Sequence, residues 1–491
     1  MNQSIKILLA ALFAVSSTVF AEVSDINKTF IALRDQRNRA AHMTTFATLA
    51  APKNDDRLGG AFQVTGFYNG GTKSVELGQA LMKNGKNFIV IDNAGAGDNE
   101  NGRFTVHADN AVAPNTNLAS VTADKVAITP EVNSYGVLLK YNQQLDGLAE
   151  GLWFAVNAPI ANVQTNANLA ITNPSAAFGG LTLNQYLAGT AGTFQEGLKY
   201  SKIDGKAHDR TELGDVEVQL GWNFVDSEKH QVGINMGVHF PTGTKPTGEF
   251  LFEPTVGSVH WAIGAGLNVN ATMWENDTQA LKFLATADYR YLLEDTERRT
   301  LELVQNGVPV LGRWANIASF NTTAPLRPAA NDLTRDFNIT PGSQVDTIAA
   351  FEYTNGGFSF DVGYNLFFKD AETGSLKQAW VDNQIGIAQS DIITTALALA
   401  HGAAGTVQRL LSINNVEEAA AGNILAGFRI DQNAVLAPSA LTHKVFAGMG
   451  YTATEWDYPV MVGVGGSYEF VNNARTAAEG FGVWGKVGVA F

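Results

Sequence analysis

The chain has no cysteine, which excludes a disulfide-stapled scaffold and a thiolate metal centre. Long apolar runs are missing too: beyond the extreme N-terminus nothing approaches the roughly 18 apolar residues that a membrane-crossing helix needs. Basic residues are outnumbered, 33 Lys and Arg against 47 Asp and Glu. A net charge of −14 argues against nucleic acid as a partner, because phosphate binding needs a basic surface. Neither GxSxG nor HExxH occurs in the 491 residues, and eight histidines are too few and too scattered to form another hydrolytic signature. The expectation is a protein without enzymatic activity, cofactor or bound metal. What the chain does have is 49 glycines, 28 phenylalanines and 45% hydrophobic residues, yet its mean hydropathy is −0.03. Glycine mixed with aromatics suits paired strands better than an Ala/Leu/Glu-rich helical fold.

The first residues read as an address. Met1 to Lys6 is a short polar start with one positive charge, Ile7 to Phe20 is an apolar run, and Val19-Phe20-Ala21 ends it with a small residue. This predicts a signal peptide, residues 1–21, and export of the remainder.

Alternation of apolar with small or polar residues then dominates. In 231–240, Val232, Ile234, Met236, Val238 and Phe240 share one face while Gly233, Asn235, Gly237 and His239 share the other. The same pattern recurs at 60–69, 132–142, 152–161, 215–225, 231–241, 260–274, 280–292, 345–353, 358–369, 443–453, 459–471 and 480–491. Segments of about ten residues, apolar on one face and polar on the other, are the requirement of a transmembrane β-barrel with lipid outside and a wet lumen. The connections behave independently in the same way. Every second one, from Gln143 to Gly151 through Thr454 to Tyr458, is short, whereas 70–131, 162–214, 242–259, 293–344 and 370–442 are long, as periplasmic turns and outer loops should be. The predicted fold is an all-β, antiparallel, up-and-down barrel of about 12 strands in residues 57–491, with some helix in its loops. Two strand-like runs, 87–92 and 103–108, make 14 the alternative count. At Thr354-Asn355-Gly356-Gly357, an Asn-Gly type I′ turn would pair Tyr353 with Phe358 and Phe351 with Phe360.

With its alternating strands, large outer loops and last strand GVWGKVGVAF ending in Phe491, the chain resembles a Gram-negative outer-membrane barrel of the porin-like kind. The resemblance implies that Phe491 is an assembly signal for the barrel assembly machinery, and that outer-membrane lipid and lipopolysaccharide surround the wall. About thirty residues, from Leu213-Gly214-Asp215 through two strands to Phe240-Pro241-Thr242-Gly243, are loosely similar to the channels associated with phenol-degradation pathways and to the long-chain fatty-acid transporters.

Reading the polar faces puts Lys140, Asp215, Glu217, His239, Lys282, Asp288, Arg290, Asp346, Glu352, Asp361, Lys369, Lys444, Glu469 and Lys486 inward. Glu217, His239, Lys282, Asp288, Arg290, Asp346, Glu352, Asp361 and Lys486 are the pore-lining candidates. An antiparallel register whose indices sum to about 635 would bring Lys282 to Glu352 and Arg290 to Asp346. Such charges either neutralise one another in a narrow barrel or filter solutes at a constriction.

Two further segments are open to more than one reading. Residues 22–56, with Phe30, Leu33, Arg34, Arg37 and Arg39 at helix-like spacing, are expected as a helical segment, either a plug in the lumen or a periplasmic lead-in. The fatty-acid transporters' N-terminal segments imply the plug. Residues 370–442 read as helices at 377–386, 389–402 and 405–412, with Ile392, Ile393, Ala396, Leu397 and Leu399 forming an apolar stripe for a lid, a recognition patch or simple loop packing. The leading functional expectation is a porin-like channel for passive diffusion of small solutes; the alternatives are a plugged transporter of hydrophobic molecules and a structural or surface-recognition barrel. Neither the solute nor the oligomeric state is legible.

Overall fold

A computed structural model describes residues 25–43, 59–82, 85–92, 103–105, 124–172, 181–192, 196–227, 229–305, 308–309, 312–319, 327–381, 385–387, 411–412, 428–453 and 455–491. Twelve long strands form the wall: β1 (Gly60–Gly71), β2 (Glu131–Gln144), β3 (Leu152–Asn166), β4 (Val216–Asp226), β5 (His230–Phe240) and β6 (Ala262–Glu275), then β7 (Gln279–Leu292), β8 (Gly342–Asn355), β9 (Phe358–Lys369), β10 (Ala440–Ala453), β11 (Val460–Val471) and β12 (Gly480–Ala490). Each pairs antiparallel with its sequence neighbour, and β1 pairs with β12, so the sheet closes. Closure removes the sheet edges that lipid does not tolerate.

The alternation sets which face is which. On β5, Ile234, Met236 and Val238 point outward and exposed, whereas Asn235 and His239 are buried on the lumen side. Exposed aromatics collect at both ends of the wall. Trp222, Phe224, Trp274, Phe358, Tyr451 and Trp456 lie toward the short turns, and Phe240, Trp261, Tyr289, Tyr291, Phe470 and Phe481 toward the long loops. Two aromatic girdles around an apolar band are the signature of a transmembrane barrel of the outer-membrane type.

The strand count is twelve. Phe88–Asp92 and Arg103–Thr105 join Asp124–Ala127 and Ala170–Thr172 in a separate four-stranded sheet above the β2–β3 hairpin, so they do not enter the wall. The wall continues upward elsewhere: Asp295–Thr300, Thr334–Thr340 and Thr373–Leu376 prolong β7, β8 and β9 as a three-stranded sheet. Ala207–Leu213 similarly prolongs β4 along the outer half of β3.

Three expectations change. The β8–β9 turn is Gly356-Gly357, with Gly356 at φ +57°, and it pairs Asn355 with Phe358, Tyr353 with Phe360 and Phe351 with Val362. Sliding by two residues keeps the aromatics on one face, because the side-chain period is two. In the described part of the N-terminal segment, residues 25–43, helix is confined to Arg39–Met43, and residues 30–35 have no regular structure. No helix occupies the described part of 377–386, where Ile385–Ile387 is a strand, and Leu411–Ser412 pairs with it. Residues 389–402, with their apolar stripe, lie outside the described residues, as does the signal segment 1–21.

Large apolar cores sit in the loops. One gathers Leu77, Leu81, Ile128, Leu183, Tyr186 and Trp314; another gathers Leu303, Ile317, Leu333, Phe337, Ile339 and Val435. The outer loops thus fold as a packed cap above the lumen. Inside the wall, lumen rings lie flat on glycines: a Cβ on Gly363 would sit 2.3 Å from the Phe446 ring, and one on Gly465 2.4 Å from Trp484. A narrow barrel makes room for such rings by omitting the facing side chain.

Candidate functional site: the occupied lumen

Residues 25–43 run from the cap down the lumen. Asp25 accepts a hydrogen bond from Asn473 Nδ2 at 2.8 Å, in the connection between β11 and β12. The backbone of Lys28 and Thr29 then donates to the carbonyls of Ala80 and Ala434 in the cap. Farther down, Ala40 and Ala41 share a buried cluster with Phe67, Leu138 and Trp484 of the wall.

Between these levels the segment is pinned by charge. Arg34 donates to Glu469 on β11 at 2.6 Å, to Asp346 on β8 at 3.3 Å and to Asn365 on β9 at 2.9 Å, with its guanidinium 4.4 Å from the Phe367 ring centroid. Asp35 takes Arg290 of β7 and, at 3.1 Å, Arg37 of its own segment. Arg37 also lies 3.8 Å from Glu217 of β4, and Arg39 pairs with Asp288 of β7. Gln36 Oε1 accepts from the Gly257 backbone N–H at 3.0 Å.

The lumen charges only make sense with this segment in place. The β7–β8 register sets Asp288 opposite Asp346 and Arg290 opposite Gln344. Two like charges face each other, and directly opposed like charges destabilise a sheet. Arg39 on Asp288 and Arg34 on Asp346 supply the missing counter-charges. The proposed Lys282–Glu352 pairing is in register, at 3.8 Å, but Arg290 does not pair with Asp346. Arg290 instead bonds Gln344 and Asp35, because the ladder is two residues away from the slip that would join it to Asp346.

All nine pore-lining candidates lie on the lumen face. Glu217, Asp288, Arg290 and Asp346 meet the N-terminal segment; His239 sits 3.3 Å from Glu217. Lys282 and Glu352 form their own pair, and Asp361 on β9 and Lys486 on β12 are buried on the lumen face. Asp35, Gln344 and Asn365 are site residues that strand alternation did not single out. The latter two carry no charge, and Asp35 lies off the helical spacing used for its segment.

The Leu213-Gly214-Asp215 and Phe240-Pro241-Thr242-Gly243 runs meet at the outer end of β4 and β5. Thr242 Oγ1 donates to the Gly214 carbonyl, and Asp215 accepts from the Ser258 backbone N–H at 2.6 Å. They form a structural clasp where the wall passes into the cap. Phe491 closes the barrel: its N–H donates to Gly60 O at 2.9 Å, Gly60 N–H donates back at 2.8 Å, and its ring covers Gly60.

In the cap, His260 Nε2 lies 2.7 Å from Glu297, and Arg299 bonds both Glu297, at 2.7 Å, and Glu372. Burial would lower the His260 pKa, but the Glu297 carboxylate bonded to it raises it above the usual value. Burial would raise that of Glu297, but Arg299 and His260 hold it at about 2.

No protein-family model matches the chain, and neither does any curated protein. Among solved structures, the chain is similar to the COG4313 outer membrane channel from Pseudomonas putida F1, with 9% identity and a TM-score of 0.39 over 88% of this chain and 95% of that one. It is similar to the Pseudomonas putida toluene transporter TodX at 9% identity and a TM-score of 0.32, covering 96% of this chain and 99% of that one. A Pseudomonas aeruginosa FadL homologue follows at 9% identity and a TM-score of 0.29, covering 89% and 90%. None of these likenesses assigns a solute.

Proposed function

We propose that this outer-membrane barrel is a plugged channel for a small solute, closed by residues 25–43 and opened when that segment moves. The observation that carries this reading is the set of ion pairs from Arg34, Asp35, Arg37 and Arg39 to inward-facing residues on β4, β7, β8 and β11. Of the readings left open by the sequence, a plug between the wall strands accounts for the Asp288–Asp346 juxtaposition, which a bare lumen leaves uncompensated. Binding and passage of the solute, with no bond made or broken, fit a lumen of paired charges.

Around the barrel, Phe491 serves as the assembly signal read by the barrel assembly machinery, and acidic loop residues meet lipopolysaccharide through divalent ions. The plug is tested in planar bilayers. Deleting residues 30–43 should raise single-channel conductance several-fold, and an unchanged conductance in a correctly folded barrel would refute the plug.

A further inference from the structure

A chamber of about 180 Å³ lies at the outer end of the lumen, between the N-terminal segment and the cap. Its apolar walls include Phe30, Leu33, Leu292 and Phe367, and its charged rim carries Arg299, Glu297, Glu372 and Lys369. Every one of these rim groups but one has an ion-pair or hydrogen-bond partner among the described residues. Arg299 is shared by Glu297 and Glu372 and covers the Phe30 ring at 3.6 Å. Glu297 also holds His260, and Glu372 also accepts from the Ala437 backbone N–H at 2.8 Å. Asp370, next in sequence, turns to the Ser343 N–H at 3.1 Å. Lys369 is left: its side chain is 92% buried, and its Nζ has no hydrogen-bond partner among the described residues.

A buried ammonium without an acceptor costs stability, and of the two lysines in that condition among the described residues, Lys369 and Lys486, Lys369 is the one that lines the chamber. The donor left without an acceptor is a single ammonium, so its complement is one acceptor group of the carboxylate kind. The volume exceeds what an inorganic ion fills and resembles apolar cavities of about 150 Å³ that take up benzene. We propose that this chamber binds a small organic monocarboxylate, its apolar body about the size of one phenyl ring between Phe30 and Phe367 and its carboxylate on Lys369 Nζ. Because the N-terminal segment supplies one wall, the site exists only in the plugged state. Binding is read by calorimetry and melting while plugging is read by conductance, so each can fail while the other stands.

The test uses the full chain in detergent micelles, with benzoate as probe and benzyl alcohol as its uncharged counterpart. Benzoate should bind saturably at one site and raise the melting temperature, whereas benzyl alcohol should do neither at the same concentration. Lys369→Met should weaken benzoate at least about tenfold, the worth of a charge-assisted hydrogen bond, while raising the melting temperature of the ligand-free barrel. Lys369→Gln is a second neutral variant with the same expected loss, and Lys369→Arg should retain binding. Unchanged benzoate affinity in either neutral variant, equal response to benzyl alcohol, or no saturable binding would overturn the site.

Discussion

Asp35 and Arg290 meet across the lumen, both nearly excluded from solvent. Breaking such a pair from one side costs about 3–5 kcal/mol where the remaining buried charge has no other partner, and less here because Asp35 keeps Arg37. Arg290→Gln should therefore weaken the seat of the plug and multiply channel openings in bilayer recordings, whereas Asp35→Asn combined with Arg290→Gln should recover much of the closed behaviour. Additive effects of the two substitutions would mean that the pair does not hold the segment. At this scale, alternation alone told which side chains face inward, since period two fixes the face. It did not tell what they touch: moving Arg290 from Asp346 to Gln344 needs only a two-residue slip, which leaves every face unchanged.

Among the elements, the strands were readable and the N-terminal segment was not. Strand bounds from the sequence fall within about five residues of the observed ones, the largest difference being β3, which ends at Asn166 rather than 161. Strands continue past the apolar band, where lipid no longer imposes alternation. Residues 30–35 have no regular structure although their spacing fits a helix, because the wall offers them ion pairs at successive heights.

The cap sheet has its own titration. His260 holds its proton more tightly when folded, so its contribution is complete below the ordinary histidine range near ~6.5 and lost as pH rises through its raised value. Glu297 works in the opposite sense: its contribution is complete above the ordinary glutamate range and lost as pH falls toward about 2. Amide exchange over Asp295–Thr300, corrected for intrinsic rates, should accelerate from pH 6 to pH 9, and His260→Gln should abolish that pH dependence. An unchanged profile in the variant would place the titrating group elsewhere.

For the whole molecule, closure depends on β12 pairing with β1, and Phe491 lengthens that seam. Phe491 adds two backbone hydrogen bonds and a ring over Gly60. Deleting Phe491 should lower the fraction of barrel that keeps its compact mobility on unheated gels after expression in cells; an unaltered fraction would count against its role in assembly.

The sequence by itself determined that the chain is a strand-built wall of about twelve segments, with fourteen as the alternative, and long loops on one side, because a lipid face and a wet face imprint alternation on every strand. Only the tertiary structure decided that the lumen is filled by residues 25–43, that Asp288 and Asp346 need its arginines, and that Lys369 faces a chamber with no acceptor on its Nζ among the described residues. These are contacts between residues hundreds of positions apart, and no local periodicity encodes which charge reaches which.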